Sequence, residues 1–515
     1  MTNKPFNKIL VANRGEIAVR VIRTAKELGI KVATIYSSVD KESLHVKMAD
    51  EAYLVGGPEP KDSYLNVEKI ISIAKRCNAE AIHPGYGFLS QVPEFVKRVE
   101  EEGIAFVGPP ETVQKVTGDK LNAKRLLHSL GIPVIPGPLN SISDVDDALI
   151  AADRVGYPVV IKPVLGGGGI GMSICWGPED VVKAVESAMS LASSAFGKAE
   201  VYVEKYFPRA KHIEVQVLAD KHNNIVHLFE RECSIQRRFQ KLLEEAPSPA
   251  ISEEERERVT ELGVKVAKAV KYVNAGTIEF LYIPETKNFY FLEVNSRIQV
   301  EHPVTEMVTR IDIVEEQLWI AAGEELRYSQ NEIGLRGHSL EVRINAEDPY
   351  NNFRPSPGII TKYLPPSGLG VRVESGVYEG YEVPPHYDPL IMKLIVWGDS
   401  RERVIARMNR ALDEFVIEGI KTNIPLHKVI LSDEVFLSRG YTTRFIQERK
   451  ILEKLMKYRH EPLRLVKRVK AGSKEREVYI PRVSAWKISS RMYERRLSLV
   501  LDKFMRRRAN KFVAR

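Results

Sequence analysis

Residues 289–302 read FYFLEVNSRIQVEH, and a shorter run, TIEFLYI at 277–283, comes just before them. Aromatic and β-branched residues dominate both runs, and the Pro-Glu-Thr-Lys between them is turn chemistry, so the pair predicts a β-hairpin. Side chains alternate faces along a strand, which sets Glu293 and Asn295 on one face and Leu292 and Val294 on the other. Pairing of the two runs then brings Glu279 beside Glu293. Two carboxylates and an amide oxygen converge, a hard-oxygen set suited to Mg²⁺ that also shares phosphate oxygens of a substrate. Just past the strand, Arg297 offers a fork for an oxyanion and Glu301 a general base. The plain alternative is an amphipathic strand with solvated charges. Five such groups set against an apolar opposite face favour a metal–nucleotide site.

The chain around this hairpin has 515 residues, 44% of them hydrophobic. That is enough to bury a large core in about three domains. Cys77, Cys175 and Cys233 have no CxxC spacing and are too few for a disulfide framework or a zinc site. The N-terminus, MTNKPFNKILVANRG, reaches a glycine loop before any signal-peptide apolar region, and no run approaches the ~18 apolar residues of a spanning helix. A reduced, cytoplasmic protein without a membrane partner is expected. The formal charge of +8 is uneven: residues 451–515 carry 20 Lys/Arg against 6 Asp/Glu, a net of +14, which leaves −6 for the first 450. A basic tail can meet nucleic acid, an acidic surface or a protein. No nucleic-acid module is recognisable in it, so a solvated segment or one that docks a partner protein is expected and nucleic acid is not.

In chain order, a strand at 8–12, a loop at 13–16, a helix with Ile17, Val21, Ala25 and Leu28 on one face and a strand at 31–37 make a βαβ start. The loop lacks GxGxxG, so no dinucleotide site is assigned. AIHPGYGFLS at 81–90 is a strand end entering a Gly-Pro loop, 104–108 is another strand, and Gly118-Asp119-Lys120 leads into a helix whose lysine can reach a phosphate. A strand at 159–162 is followed by Gly166 to Gly169, Ile170 and Gly171. Glycine-rich backbone can cradle phosphates, and without GK[ST] this is a mobile lid over a nucleotide rather than a Walker loop. The strand at 201–206 ends in polar groups able to hydrogen-bond an adenine. Later come a strand from His212, the run 230–240 with Gln236, then Lys241, a strand at 341–348 carrying Arg343, a strand at 389–396, and a helix at 401–416 with Val404, Met408, Leu412 and Phe415 on one face.

ANRGEIAVR, HPGYGFLS, GDK, GGGG, HIEVQ, ECSIQRR, EEAPSPA, FLEVNSRIQVEHPVTE, RINAED and GIKTN together resemble biotin carboxylase, in the usual order of that family, over roughly residues 6–450. The resemblance implies an α/β multidomain ATP-grasp enzyme: an N-terminal domain at 1–120, an ATP-grasp region at 121–330 with its lid at about 134–207, a C-terminal domain at 331–450 and the basic extension at 451–515. It implies a ligase that turns Mg-ATP (or Mn-ATP) and bicarbonate into carboxyphosphate and carboxylates biotin. Matched motif by motif, Lys120, Lys162, Glu204, Lys205, His212 and Gln236, with Gly168 and Gly169, would hold ATP. Glu279, Glu293 and Asn295 would hold two divalent ions. Lys241, Arg297, Gln299 and the Val300 backbone would hold bicarbonate, Glu301 would take its proton, and Arg343 would stabilise the biotin enolate. Arg20, Arg23 and Glu27 would lie near the interface of a homodimer.

Some positions depart from the family pattern. Leu165 stands for the first lid glycine and Ile170 for its arginine, costing loop freedom and a cation. Phe239 stands for a histidine, and Gln91 for a glutamate. No biotinylation sequence and no transferase-sized region is found. The expected partners are therefore a separate biotin carboxyl carrier protein and a carboxyltransferase subunit, with the basic tail a candidate dock. Two rivals remain: an inactive paralogue acting in assembly, and another ATP-grasp ligase.

Overall fold

The strand Lys8–Val11 divides its side chains between two cores. Ile9 and Val11 pack with Ile17 and Val21, while Leu10 packs with Ile35, Ile70 and Phe95. A strand apolar on both faces belongs inside a parallel sheet covered by helices. Here it is the centre of five parallel strands, in the order Glu51–Gly56, Lys31–Ser37, Lys8–Val11, Ala81–His83, Ala105–Phe106. The strand order reverses between Lys8–Val11 and Ala81–His83, and loops leaving the carboxyl ends at such a point open a ligand crevice. Those loops are residues 12–14 and 84–91, tied together by Asn13, whose Nδ2 donates to the carbonyls of Pro84 (2.6 Å) and Tyr86 (2.8 Å). The strand expected over 104–108 is reduced to Ala105–Phe106, because Gly108 turns back onto the Phe106 carbonyl.

The computed structural model describes residues 4–164, 171–196, 200–458, 467–471 and 474–478. Leu165, Gly168, Gly169 and Ile170, and most of the basic tail, lie outside the described residues. Strands Ser173–Cys175, Val159–Pro163 and Val201–Lys205 form an antiparallel sheet of their own under helices Val145–Val155 and Pro178–Phe196, around a separate core that includes Val159, Ile161, Val181 and Val203.

The largest sheet has eight antiparallel strands, in the order Asn288–Asn295, Asn274–Ile283, Lys211–Ala219, Ile225–Arg237, Gln240–Ala246, His338–Asn345, Leu390–Gly398, Val371–Ser375. It passes unbroken across the boundary expected at residue 330, since Leu243 to Ala246 pair with Val342 to Ser339. Helix Glu253–Ala269, opened by a Ser252/Glu255 capping box, packs Val259 and Val266 against Val215 and Ile278. At the other end, Val404, Met408 and Leu412 of helix Arg401–Glu414 meet Leu340, Val342 and Leu394. The same core buries Ile451 and Leu455 of helix Ile451–Lys457. Among the described residues no helix is long and apolar enough to cross a membrane, and Cys77, Cys175 and Cys233 are buried free thiols.

Candidate active site

The hairpin forms with the expected partners: Glu279 stands opposite Glu293, and Thr277 opposite Asn295. One expectation fails. The register runs Glu279↔Glu293 and then Phe280↔Phe291, which leaves Leu292 as the extra residue of a bulge. Instead of joining Phe291 and Val294 in the core, Leu292 lines the same cleft as Glu293. The cleft has a volume of about 1110 Å³ and is bounded by the two N-terminal loops, the three-stranded lid sheet, this hairpin and the Arg343 strand.

At its centre is the ammonium of Lys241, which donates to Glu214 Oε2 (2.6 Å), Glu279 Oε1 (2.8 Å) and Glu301 Oε1 (2.6 Å). Burial works to neutralise it, but the three carboxylates outweigh that and hold its pKa well above the ordinary lysine value. Glu301 responds in kind. Burial favours its acid form, yet Lys241 and Arg343 keep its pKa below the usual carboxylate range, so it is an ionised base at neutral pH. Glu279 also accepts from Asn295 Nδ2 and Gln299 Nε2, both at 2.9 Å, and meets His212 Nε2 at 3.2 Å. Burial opposes the charge on His212, but Glu279 lifts it to about 9, and the side-chain amide of Gln236 lies 3.0 Å from its other nitrogen.

Toward the lid, three lysines crowd two carboxylates. Asp119 caps helix Lys120–Ser129 by accepting from Asn122 N, which sets Lys120 in the first turn with Nζ 2.7 Å from Glu293. Lys162 reaches Glu204 at 2.7 Å, and Lys124 pairs with the same carboxylate. Burial, then the charge of Lys120, pushes Lys162 down to about 7. Burial and the neighbouring lysines push Lys124 well below the ordinary lysine value too, so this dry wall gains positive charge when phosphate oxygens enter. The Lys205 side chain is not part of that wall; its Nζ is bound to the carbonyls of Gly156 (2.7 Å) and Tyr157 (3.0 Å).

At the far end, Arg297 donates to Gln91 Oε1 (2.7 Å) and Asn295 Oδ1 (3.0 Å). Gln91 thus fills the position of the family glutamate without supplying a charge. Arg343 donates to Glu244 (2.6 Å) and Glu301 (3.0 Å), and the Val300 carbonyl accepts from Lys393 (2.9 Å). Sequence reading passed over Glu214, Arg231, Lys124 and Glu244. Arg231 is fully buried and ties Glu214, Gln216, Thr277, Thr305 and Gln299 together at 2.6–3.1 Å. The alternation in HIEVQV, which turns His212, Glu214 and Gln216 to one face, is the signal that could have found it.

Two carboxylates and an amide on one wall of the cleft are donors for a hard divalent cation, and Lys120 and Lys241 already rest against these carboxylates as positive charge. Family models match in three consecutive stretches: "Biotin carboxylase, N-terminal domain" over residues 5–113, "Carbamoyl-phosphate synthase L chain, ATP binding domain" over 119–329, and "Biotin carboxylase C-terminal domain" over 341–448. A pyruvate carboxylase subunit from Methanothermobacter thermautotrophicus is 53% identical over 443 residues, 86% of this chain and 90% of that one. Biotin carboxylase 1 of Bacillus subtilis is 50% identical over 442 residues, 86% and 98% of the two chains. In structure, the biotin carboxylase domain dimer of the Hydrogenobacter thermophilus 2-oxoglutarate carboxylase, in complex with MgADP, ADP and bicarbonate, matches with a TM-score of 0.86 and 49% identity, covering 89% of this chain and 100% of that one. The chain belongs to the biotin carboxylase family: it is an ATP-grasp ligase that carboxylates biotin with ATP and bicarbonate.

Proposed function

We propose that this chain performs the first half-reaction of a biotin-dependent carboxylase, on biotin delivered by a separate carrier protein, with the cleft residues in the following roles. Lys120 and Lys162 bind the nucleotide phosphates, and Glu204, His212 and Gln236 fix the groups that face them. Glu279, Glu293 and Asn295 hold Mg²⁺, which when bound neutralises charge on the transferring phosphoryl group. Arg297, with Lys241 and Gln299 behind it, orients bicarbonate; Glu301 takes the bicarbonate proton, and the resulting carbonate attacks the γ-phosphate to give carboxyphosphate and ADP. Arg343 holds the ureido oxygen of biotin as its negative charge develops. The observation that carries this reading is the ionised Glu301, gripped by Lys241 at 2.6 Å and by Arg343 at 3.0 Å, where the nucleotide half of the cleft meets the C-terminal half.

The carboxyl acceptor is chosen by a partner carboxyltransferase, and a homodimer through the face of Arg20, Arg23 and Glu27 completes the assembly. The deciding measurement is ADP release with Mg-ATP and bicarbonate, with and without free biotin. Biotin-stimulated turnover should vanish in Glu301→Ala and lose its dependence on biotin in Arg343→Ala. An intact chain that stays silent even with a biotinylated carrier would overturn the reading in favour of an inactive paralogue serving assembly.

A further inference from the structure

Under the Arg343 end of the cleft lies a buried carboxyl pair to which the reaction above gives no part. Strands Gln240–Ala246 and His338–Asn345 pair with Glu244 directly opposite Glu341. Such partners project from one face with Cβ atoms about 4.5–5.5 Å apart. Both side chains are fully enclosed. Arg343, two residues along and on the same face, gives its Nε to Glu244 Oε1 at 2.6 Å. Glu244 Oε2 and both oxygens of Glu341 have no hydrogen-bond partner among the described residues.

The surrounding charges do not fill that gap. Lys393, opposite Arg343 on the next strand, is committed to the Val300 carbonyl (2.9 Å) and to Glu16 (3.1 Å) on the first helix. Lys241 on the Glu244 strand is divided among Glu214, Glu279 and Glu301. His302, at the start of the helix packed over the sheet, is kept neutral by burial and by Lys393. Glu16, Glu244, Glu301 and Glu341 therefore share Arg343, Lys393 and part of Lys241, fewer than three positive charges for four acids, so at least one acid lacks a counter-charge. Two ionised carboxylates side by side in a dry sheet repel each other, and a buried charge without a partner takes a proton instead.

We propose that Glu341 carries a proton which it shares with Glu244, and that Glu244 is a positioning residue holding Arg343 ready for the biotin oxygen. This rests on the assignment of Arg343 to biotin. While one proton serves the pair, Glu244 is a carboxylate that steadies Arg343 against the pull of Glu301. A second proton neutralises Glu244 and releases Arg343 toward Glu301. Burial pushes Glu244 up to about 7 even with Arg343 beside it, and pushes Glu341 well above the carboxylate range, so the second proton arrives near neutrality.

Two readouts on the full chain test this. Infrared spectra near neutral pH should contain a protonated-carboxyl band that Glu341→Gln removes; absence of that band in the wild type overturns the proposal. KM for biotin, followed from about pH 5.5 to about 9, should rise as pH falls through about 7. In Glu244→Gln it should stand about tenfold higher and flat, the effect of one lost charge-assisted bond. In Glu341→Gln the rise should stay near pH 7, because the neighbour it replaces is already uncharged there. Glu244→Asp restores the pH dependence, and supplies the test should the Gln variants not fold. A Glu244→Gln enzyme with the wild-type KM and pH profile overturns the proposal. Biotin stimulation that survives Arg343→Ala would instead sink the assignment of Arg343, with the infrared band untouched.

Discussion

Glu214 shows how much of this site rests on a group that touches no substrate in the roles above. It is fully buried and neutralises Arg231 at 2.6 Å and Lys241 at 2.6 Å. Removing one member of a buried ion pair leaves the other uncompensated, at a cost of about 3–5 kcal/mol. Glu214→Gln is accordingly expected to lower the unfolding free energy by about 3 kcal/mol in urea titration and to cut ADP release by about a hundredfold, since Lys241 then pulls harder on Glu301. Lys162 gives a second prediction, with a defined sign. Its pKa is depressed to about 7 before ligand binds. A phosphate beside it restores the ammonium, so nucleotide binding above pH 7 takes up a proton, and affinity falls as pH rises from about 7 toward the bound-state pKa. Calorimetry of ADP binding in buffers of different ionisation heat should register uptake approaching one proton at about pH 8. Lys162→Met should reduce it, leaving only the uptake by Lys124.

The elements were legible where pattern and chemistry agreed, and obscure where one residue broke the pattern. Period-two alternation and the PETK turn revealed the hairpin and put Glu279 beside Glu293. The same alternation misplaced Leu292, because a bulge inserts a residue without changing composition. Glu214 and Arg231 were missed for a related reason: a charge inside a strand looks solvated until its partners, distant in sequence, are known. The turn joining Ile225–Arg237 to Gln240–Ala246 is a further irregularity. Its two central residues, Arg238 (φ 51°) and Phe239 (φ 65°), are both left-handed, the geometry that Asn-Gly satisfies without strain. Replacing them by Asn and Gly should stabilise the protein by about 1–2 kcal/mol, read as a higher denaturation midpoint. No gain would mean that contacts of Arg238 and Phe239 offset the strain.

For the molecule as a whole, packing continues past the stretch that family motifs mark. Ile451 and Leu455 are fully buried in the core under the C-terminal helices. Compared with a chain stopped after Tyr458, one stopped after Lys450 loses two core side chains worth about 2–5 kcal/mol each and should melt several degrees lower. Equal melting temperatures would show that the helix Ile451–Lys457 adds nothing. The eight-stranded sheet also bears on how such chains can diverge. Leu243 to Ala246 hydrogen-bond to a strand that begins about a hundred residues later, so a crossover between relatives anywhere in that interval joins two halves of one ladder with different histories. The lid has its own sheet and its own core. It is the piece that can be exchanged whole between relatives.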